Sequence, residues 1–186
     1  MTARTLSKEK IVAAAIELIK NQDNLTFTNL SRKLGIRSQA IYNYYPDIMA
    51  VKADVAAKFY DDLATRLKAD LLGLQGKQAI KAFANVIVHY ALSNFVLAQQ
   101  IIGISSSKID ATNLNQSRSR VLDVLKTFLE PMTQDEKTRV VITQMLRVLV
   151  IGEILHVGNG QFDNKTISAQ DSFDEMLDLA LAKLEN

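Results

Sequence analysis

TFTNLSRKLGIRSQAIYNYYPDI, residues 26–48, reads as a short helix, a tight turn and a second short helix, and the fold follows from it. Thr26 is placed to cap the first helix, because its hydroxyl can accept from the unpaired N–H groups that open residues 27–34. Gly35 ends that helix: a glycine just past the last apolar position takes the left-handed conformation that a side chain penalises. The chain turns through residues 35–37 and restarts at Ser38, which is helix-turn-helix punctuation.

The second helix is read as residues 38–45. On a wheel of about 100° per residue, Ile41 and Tyr45 share one face, with Ser38 at its edge, and pack inward on Leu30 and Leu34. Gln39 and Asn43 point the other way, flanked by Ala40, Tyr42 and Tyr44. The outward face is therefore amides, a methyl and phenols, in place of the Lys/Glu mixture of an ordinary surface helix. An amide sets a donor beside an acceptor, which matches adenine N6 and N7 in the major groove, and an alanine methyl meets a thymine methyl. The competing reading is a plain helical hairpin whose tyrosines cover a core edge.

The segment LSRKLGIRSQAIYNYYPDIMAV resembles the N-terminal domain of the TetR family of bacterial repressors. The likeness runs without a gap through Thr26, Leu30, Ser31, Leu34, Gly35, Ile36, Ser38, Ile41, Tyr42 and Tyr45, within residues 8–55. It implies an all-α protein of about nine helices: a three-helix DNA-binding domain, residues 1–48, then a larger helical ligand-binding and dimerisation domain, residues 49–186. The sequence departs from the family where a small polar residue and a lysine usually follow the recognition helix. Here stand Pro46, Asp47 and Ile48; Lys52, one turn further on, is the candidate substitute, and a weaker or differently placed backbone grip is the expectation. Tyr45 occupies a position where the family tends to have phenylalanine.

Composition is compatible with this. A chain of 186 residues with 48% hydrophobic content can bury a real core, and seven glycines and two prolines leave little room for a turn-rich β protein. The net charge of +2 is uninformative, but residues 1–58 carry 9 Lys/Arg against 5 Asp/Glu while the remainder carries 13 against 15, so the basic excess lies with the reading segment. The absence of cysteine excludes disulfides and thiolate metal sites and suits a cytoplasmic protein. No apolar leader is visible at the N-terminus. The longest apolar stretch, VVITQMLRVLVIGEILHVG, is interrupted by Arg147 and Glu153, so no membrane partner is expected.

Outward from the central stretch, Ser7 caps a first helix over residues 8–21, with Ile11, Ala15, Leu18 and Ile19 as its apolar stripe. A long helix starts near Asp47 and runs to about residue 72, with Val55, Phe59, Leu63 and Leu67 on one face: a rod belonging to both halves. Residues 77–100 are helical with a break at Ser93 and Asn94, residues 103–113 form a loop, and residues 114–129 form a helix ended by Pro131. Thr133 with Glu136 reads as a capping box opening a helix to about residue 157, and Ser168 with Asp171 as a second box opening the last helix. Both helices are too apolar to stand alone on a surface; a buried centre accounts for part of this, and Ile151, Gly152, Leu155, Phe173, Leu177 and Leu181 are the expected contacts with a twin chain. The run LVIGEILHVGNGQF with SFDEML further resembles the C-terminal domain of the WHG type of the TetR family, through His156, Gly158, Gly160, Phe162 and Phe173.

Catalytic and metal patterns are missing. There is no glycine-rich phosphate loop, no Gly-x-Ser-x-Gly elbow and no Cys/His set, so no enzyme and no cofactor are expected. Glu153 and His156 have the spacing of a di-iron helix, but such sites need two of these pairs and the chain has only two histidines. His89 reads as a satisfied or partly exposed histidine. The resemblance implies an effector cavity in the C-terminal half, between the rod and the helix of residues 134–157, lined by Phe83, Ile87, Tyr90 and Phe95, with Phe128, Met145 and Arg147. Arg147 either holds an anionic ligand or serves as a surface or intersubunit cation.

The resulting expectation is a homodimeric, sequence-specific DNA-binding regulator, a ligand-responsive repressor of a near-palindromic operator whose half-sites lie about 34 Å apart or a multiple of that. Gln39 and Asn43 read bases with Ala40 in apolar contact. Thr26, Thr28, Tyr42, Tyr44 and Lys52 hold phosphates; Arg37 serves either, and Ser38 opens the reading helix. The rivals are a protein-interaction module that keeps the fold and has lost DNA binding, and a small-molecule carrier.

Overall fold

The structure, a computed structural model, describes residues 6–104, 112–182 and 184. Among these residues nine α-helices follow one another: α1 (Lys8–Lys20), α2 (Phe27–Leu34), α3 (Ser38–Tyr42), α4 (Ile48–Asp70), α5 (Gly76–Ser93), α6 (Phe95–Ile102), α7 (Thr112–Leu129), α8 (Glu136–Gly158) and α9 (Ala169–Leu181). The greater part of the loop expected at residues 103–113, residues 105–111, lies outside the described residues.

Side-chain acceptors set the starts of α1, α2, α4, α8 and α9. Ser7 accepts from Lys10 N–H, Thr26 from Asn29 N–H, Asp47 from Ala50 N–H and Ser168 from Asp171 N–H, each meeting one of the donors that a helix start leaves unpaired. Two boundaries differ from the sequence reading. The start of α8 is Asp135, not Thr133: the Asp135 carboxylate accepts the Thr138 N–H at 3.0 Å, while the Thr133 hydroxyl accepts from Asp135 N–H before the helix begins. An ionised acceptor makes the stronger cap. The reading helix closes at Tyr42 rather than Tyr45, and the chain leaves it by a turn in which both Tyr44 and Tyr45 N–H donate to the Ile41 carbonyl.

The chain divides into two compact units. The first, Met1–Tyr60 with Val96–Arg118, packs α1 on α2 and α2 on α3, and buries Ile11, Ala15, Leu18, Leu30 and Ile41. Here the guanidinium of Arg118 lies over the Tyr60 ring. The second, Asp61–Phe95 with Ser119–Asn186, packs α5 against α8 and α9 and α8 against α9, around Ile80, Phe83, Leu146, Ile154, Phe173 and Leu177. A polar ladder joins α5 to α9 at four-residue steps: Lys81 pairs with Asp178, Asn85 donates to Asp174, and His89 meets the Gln170 amide oxygen at 2.7 Å. Helix α4 is common to both units, its residues 48–60 falling in the first and 61–70 in the second. Val55, Phe59, Leu63 and Leu67 are all buried.

Helix α8 is unusual. By length and composition it is apolar enough to cross a membrane despite Arg147 and Glu153, yet only 28% of its most apolar window is buried. Val140, Val141 and Val148 stand more than half exposed.

Candidate nucleic-acid interface

The head is built on one glycine. Gly35 has φ +67°, and its N–H and that of Ile36 close back on the carbonyls of Arg32 and Ser31. A Cβ built there would meet nothing within 4 Å, so the requirement is conformational and not steric. The turn delivers Arg37, exposed, to the N-cap position of α3 without a side-chain cap bond.

From that start the side chains divide. Ile41 is fully buried and Tyr45 is 2% exposed, which fixes the inward face. Gln39 and Asn43 are both exposed and Ala40 is half-buried, so the two amides project from the same short segment as the sequence pattern requires. Thr28 and Tyr42 are exposed as well, the Tyr42 ring held edge-on to Phe27 at 4.8 Å. Lys52 is half-buried on α4.

Besides Thr26, whose hydroxyl caps α2, two residues assigned to DNA have internal duties. The Ser38 hydroxyl donates to Ser31 (3.0 Å), and that of Ser31 donates to the Thr28 carbonyl (2.9 Å), a relay that fastens α3 to α2. The Tyr44 hydroxyl donates to the Leu6 carbonyl at 2.7 Å, so its proton is directed at the chain's own leading segment and not at a phosphate. The Tyr45 hydroxyl, for its part, donates to Asp54 of α4 at 2.8 Å, with the Lys8 ammonium 5.1 Å from its ring centre. Sequence reasoning missed Asp54 and Leu6; the signal available was a tyrosine at a buried position, since a buried hydroxyl requires a partner. Also missed was the brace around α2, where Asn29 donates to the Asn24 carbonyl (2.7 Å) and accepts from Arg32 (3.2 Å). The local charge is partly spent: Lys33 is paired with Glu17 at 2.6 Å.

In the second unit the expected effector-site residues are scattered by exposure. Phe83 is buried; Ile87, Tyr90, Phe95, Phe128 and Met145 are half-buried; Arg147 is exposed. Burial, and then Asp62, raise the Tyr90 phenol above its ordinary value. Phe95 seats its ring against Gly158, where a Cβ would come within 2.0 Å of the ring edge. An open groove runs along α8, lined by Val140, Val141, Gln144, Met145, Val148 and Leu149, so that of the expected lining only Met145 takes part. The residues expected at a twin interface also divide. Gly152 is exposed and Ile151 and Leu155 half-buried, but Phe173, Leu177 and Leu181, at 1%, 0% and 1%, belong to the chain's own core. The apolar face of α9 is turned inward, and on its outer face Leu179, 77% exposed, stands among Asp171, Glu175 and Asp178. His156 is exposed with its ring edge-on to Phe162 at 5.9 Å.

A helix-turn-helix head with outward amides on an otherwise all-α chain defines the class of protein. No family model matches the sequence. A curated relative, the uncharacterized HTH-type transcriptional regulator YobS of Bacillus subtilis (strain 168), is 22% identical over 163 residues, covering 86% of this chain and 83% of the relative. Among solved structures, TetR-Q116A from Acinetobacter baumannii AYE in complex with minocycline superposes with a TM-score of 0.72 at 21% identity, over 96% of each chain. SCO7222, a TetR from Streptomyces coelicolor, gives 0.73 at 18% identity over 96% of this chain and 97% of its own. By fold, the chain is a TetR-type helix-turn-helix protein.

Proposed function

We propose that the protein is a TetR-family transcriptional regulator, a cytoplasmic repressor that binds a near-palindromic operator as a homodimer and is released by a small-molecule effector. The observation that carries this reading is the division of the segment 39–45: Ile41 and Tyr45 are buried while Gln39 and Asn43 are exposed. Amides held outward on a rigid base suit direct readout of adenine. Residues 1–48 act as the DNA-binding domain and residues 49–186 as the effector and dimerisation domain. Gln39, Ala40 and Asn43 face bases, Thr26, Thr28, Tyr42 and Lys52 face phosphates, and Arg37 completes the set.

The bare face of α8 supports pairing with a second copy. Its exposed valines, with Ile151, Gly152 and Leu155 further along and Leu179 on α9, form the self-complementary patch a two-fold dimer needs. An effector that binds the body better in one dimer geometry shifts the spacing of the two heads and so lowers operator affinity by that preference. The minocycline bound by the Acinetobacter protein supports an effector of some kind without naming this one. Within the family the C-terminal half is of the WHG type, through His156, Gly158, Gly160, Phe162 and Phe173.

Selection from random duplexes tests the reading. Enrichment of a two-fold motif by the purified protein is the expected result. No enrichment at low salt would favour an adaptor that keeps the fold without DNA binding, a reading motivated by Ile48 where the family's lysine usually stands and by the Lys33–Glu17 pair.

A further inference from the structure

The reading helix is too short to hold itself. Helix α3 covers only Ser38–Tyr42, and a helix of little more than one turn gains too few backbone bonds to offset its nucleation. Asn43 lies just beyond it, at the C-cap, in the turn where Tyr44 and Tyr45 N–H both reach the Ile41 carbonyl (2.9 and 3.1 Å). Two consecutive phenols restrain this turn through different neighbours: Tyr44 through Leu6, Tyr45 through Asp54.

The second restraint is the informative one. A phenylalanine would fill the buried site of Tyr45 equally well, so the hydroxyl is an addition, tolerated only because the Asp54 carboxylate accepts from it. A bond to a carboxylate is stronger than one between neutral groups, and it reaches from the reading turn to the second turn of α4. We propose that Tyr45 is a positioning residue for base reading: its hydroxyl, held by Asp54, fixes the turn that presents Asn43 and keeps it in register with Gln39. The inference rests on the DNA-binding reading above. Burial first, and then the Asp54 carboxylate, hold the phenol well above its ordinary value, so it remains a donor at physiological pH.

Loosening this turn acts on specific complexes more than on random ones. Phosphate contacts supply most of the affinity for arbitrary sequence, whereas base contacts need the amides in one geometry. The test uses full-length Tyr45→Phe, which keeps the ring and its contact with Lys8, beside Asp54→Leu and Asp54→Asn. Hydrogen exchange without DNA is expected to run roughly tenfold faster at residues 43–45 in Tyr45→Phe and Asp54→Leu, with α5, α8 and α9 unchanged. The ratio of operator to random-duplex affinity is expected to fall about tenfold in the same two variants, and Asp54→Asn, whose amide oxygen still accepts, to recover most of it. Unchanged exchange at residues 43–45 overturns the restraint. A parent that enriches a motif, with variants that bind it as selectively, overturns the positioning role alone. A parent that enriches nothing overturns the DNA-binding reading and this inference with it.

Discussion

The head and the outer face of α8 solve opposite problems. Among the described residues of the head the inward hydroxyls have named partners: Ser38 on Ser31, Ser31 on Thr28, Tyr44 on Leu6 and Tyr45 on Asp54. What its reading segment leaves outside, Gln39, Tyr42 and Asn43, is polar and uncharged. Along α8 the inward side is a core around Ile142, Leu146, Val150 and Ile154, and what is left outside includes Val140, Val141 and Val148 beside Gln144 and Arg147. A surface of held amides is ready for a hydrated, hydrogen-bonding partner, and a surface of bare valines for a dry one. Exposure has to be read by chemistry: Asn43 and Val148 are both exposed, and they call for different neighbours.

The comparison breaks most visibly at Val148. Val148→Asp places a charge on the bare face, and if that face pairs with a twin, burying an unpaired carboxylate should weaken the dimer by a hundredfold or more, on the order of 3 kcal/mol. Sedimentation at micromolar concentration reads the shift to monomer, and operator binding should fall with it. Leu72→Asp, at the equally bare but isolated turn after α4, should leave both unchanged. A Val148→Asp protein that stays dimeric would remove α8 as the seam.

Within the body, Gly158 tests how tightly the inner side is filled. Gly158→Ala sets a methyl 2.0 Å from the edge of the Phe95 ring, so the ring must swing or the end of α8 must shift. Overpacking of this kind costs about 1–3 kcal/mol, read as a lower urea midpoint at constant slope. Adding Phe95→Leu should return part of the loss; if Gly158→Ala alone is neutral, the body is looser than its packing suggests.

On the head, two substitutions separate reading from gripping. Asn43→Ala should cost roughly 1–3 kcal/mol at one base position and little on random duplexes. Lys52→Ala should weaken all sequences alike and reduce the salt slope by about 1. Equal losses on operator and random DNA for Asn43→Ala would show that this amide reads nothing.

How much of this was legible depended on range. Caps and turns are local, so Ser7, Thr26, Gly35 and Ser168 were found from their neighbours alone, and the outward amides followed from helical spacing. At TQDE, residues 133–136, two acceptors offer equivalent spacing, and sequence could not tell that the carboxylate of Asp135 would win over the hydroxyl of Thr133. The partners of Tyr44 and Tyr45 lie 38 and 9 residues away, and nothing local points to them. On α9 the apolar face of Phe173, Leu177 and Leu181 is plain from spacing, but spacing does not say whether that face meets the chain's own core or a second copy, and only the fold places it inside.

The smallest expected effect concerns a group that fits neither side of the comparison. Glu153 is a carboxyl on the inward side of α8, 7% exposed, and burial raises its pKa above the ordinary 4.5 while nearby His156 opposes the rise. Between the unfolded value and the raised folded one, the native state keeps a proton that the unfolded chain releases, so stability falls as pH rises through that window, and the full penalty is present above it. Glu153→Gln removes the titration. The variant should therefore be more stable than the parent at neutral pH and lose that advantage as the pH is taken below about 4, where the carboxyl is protonated in both states. Urea midpoints at the two pH values decide it: an advantage that does not change with pH would trace to packing, and a variant less stable at neutral pH would mean that the charged form of Glu153 is held by the fold.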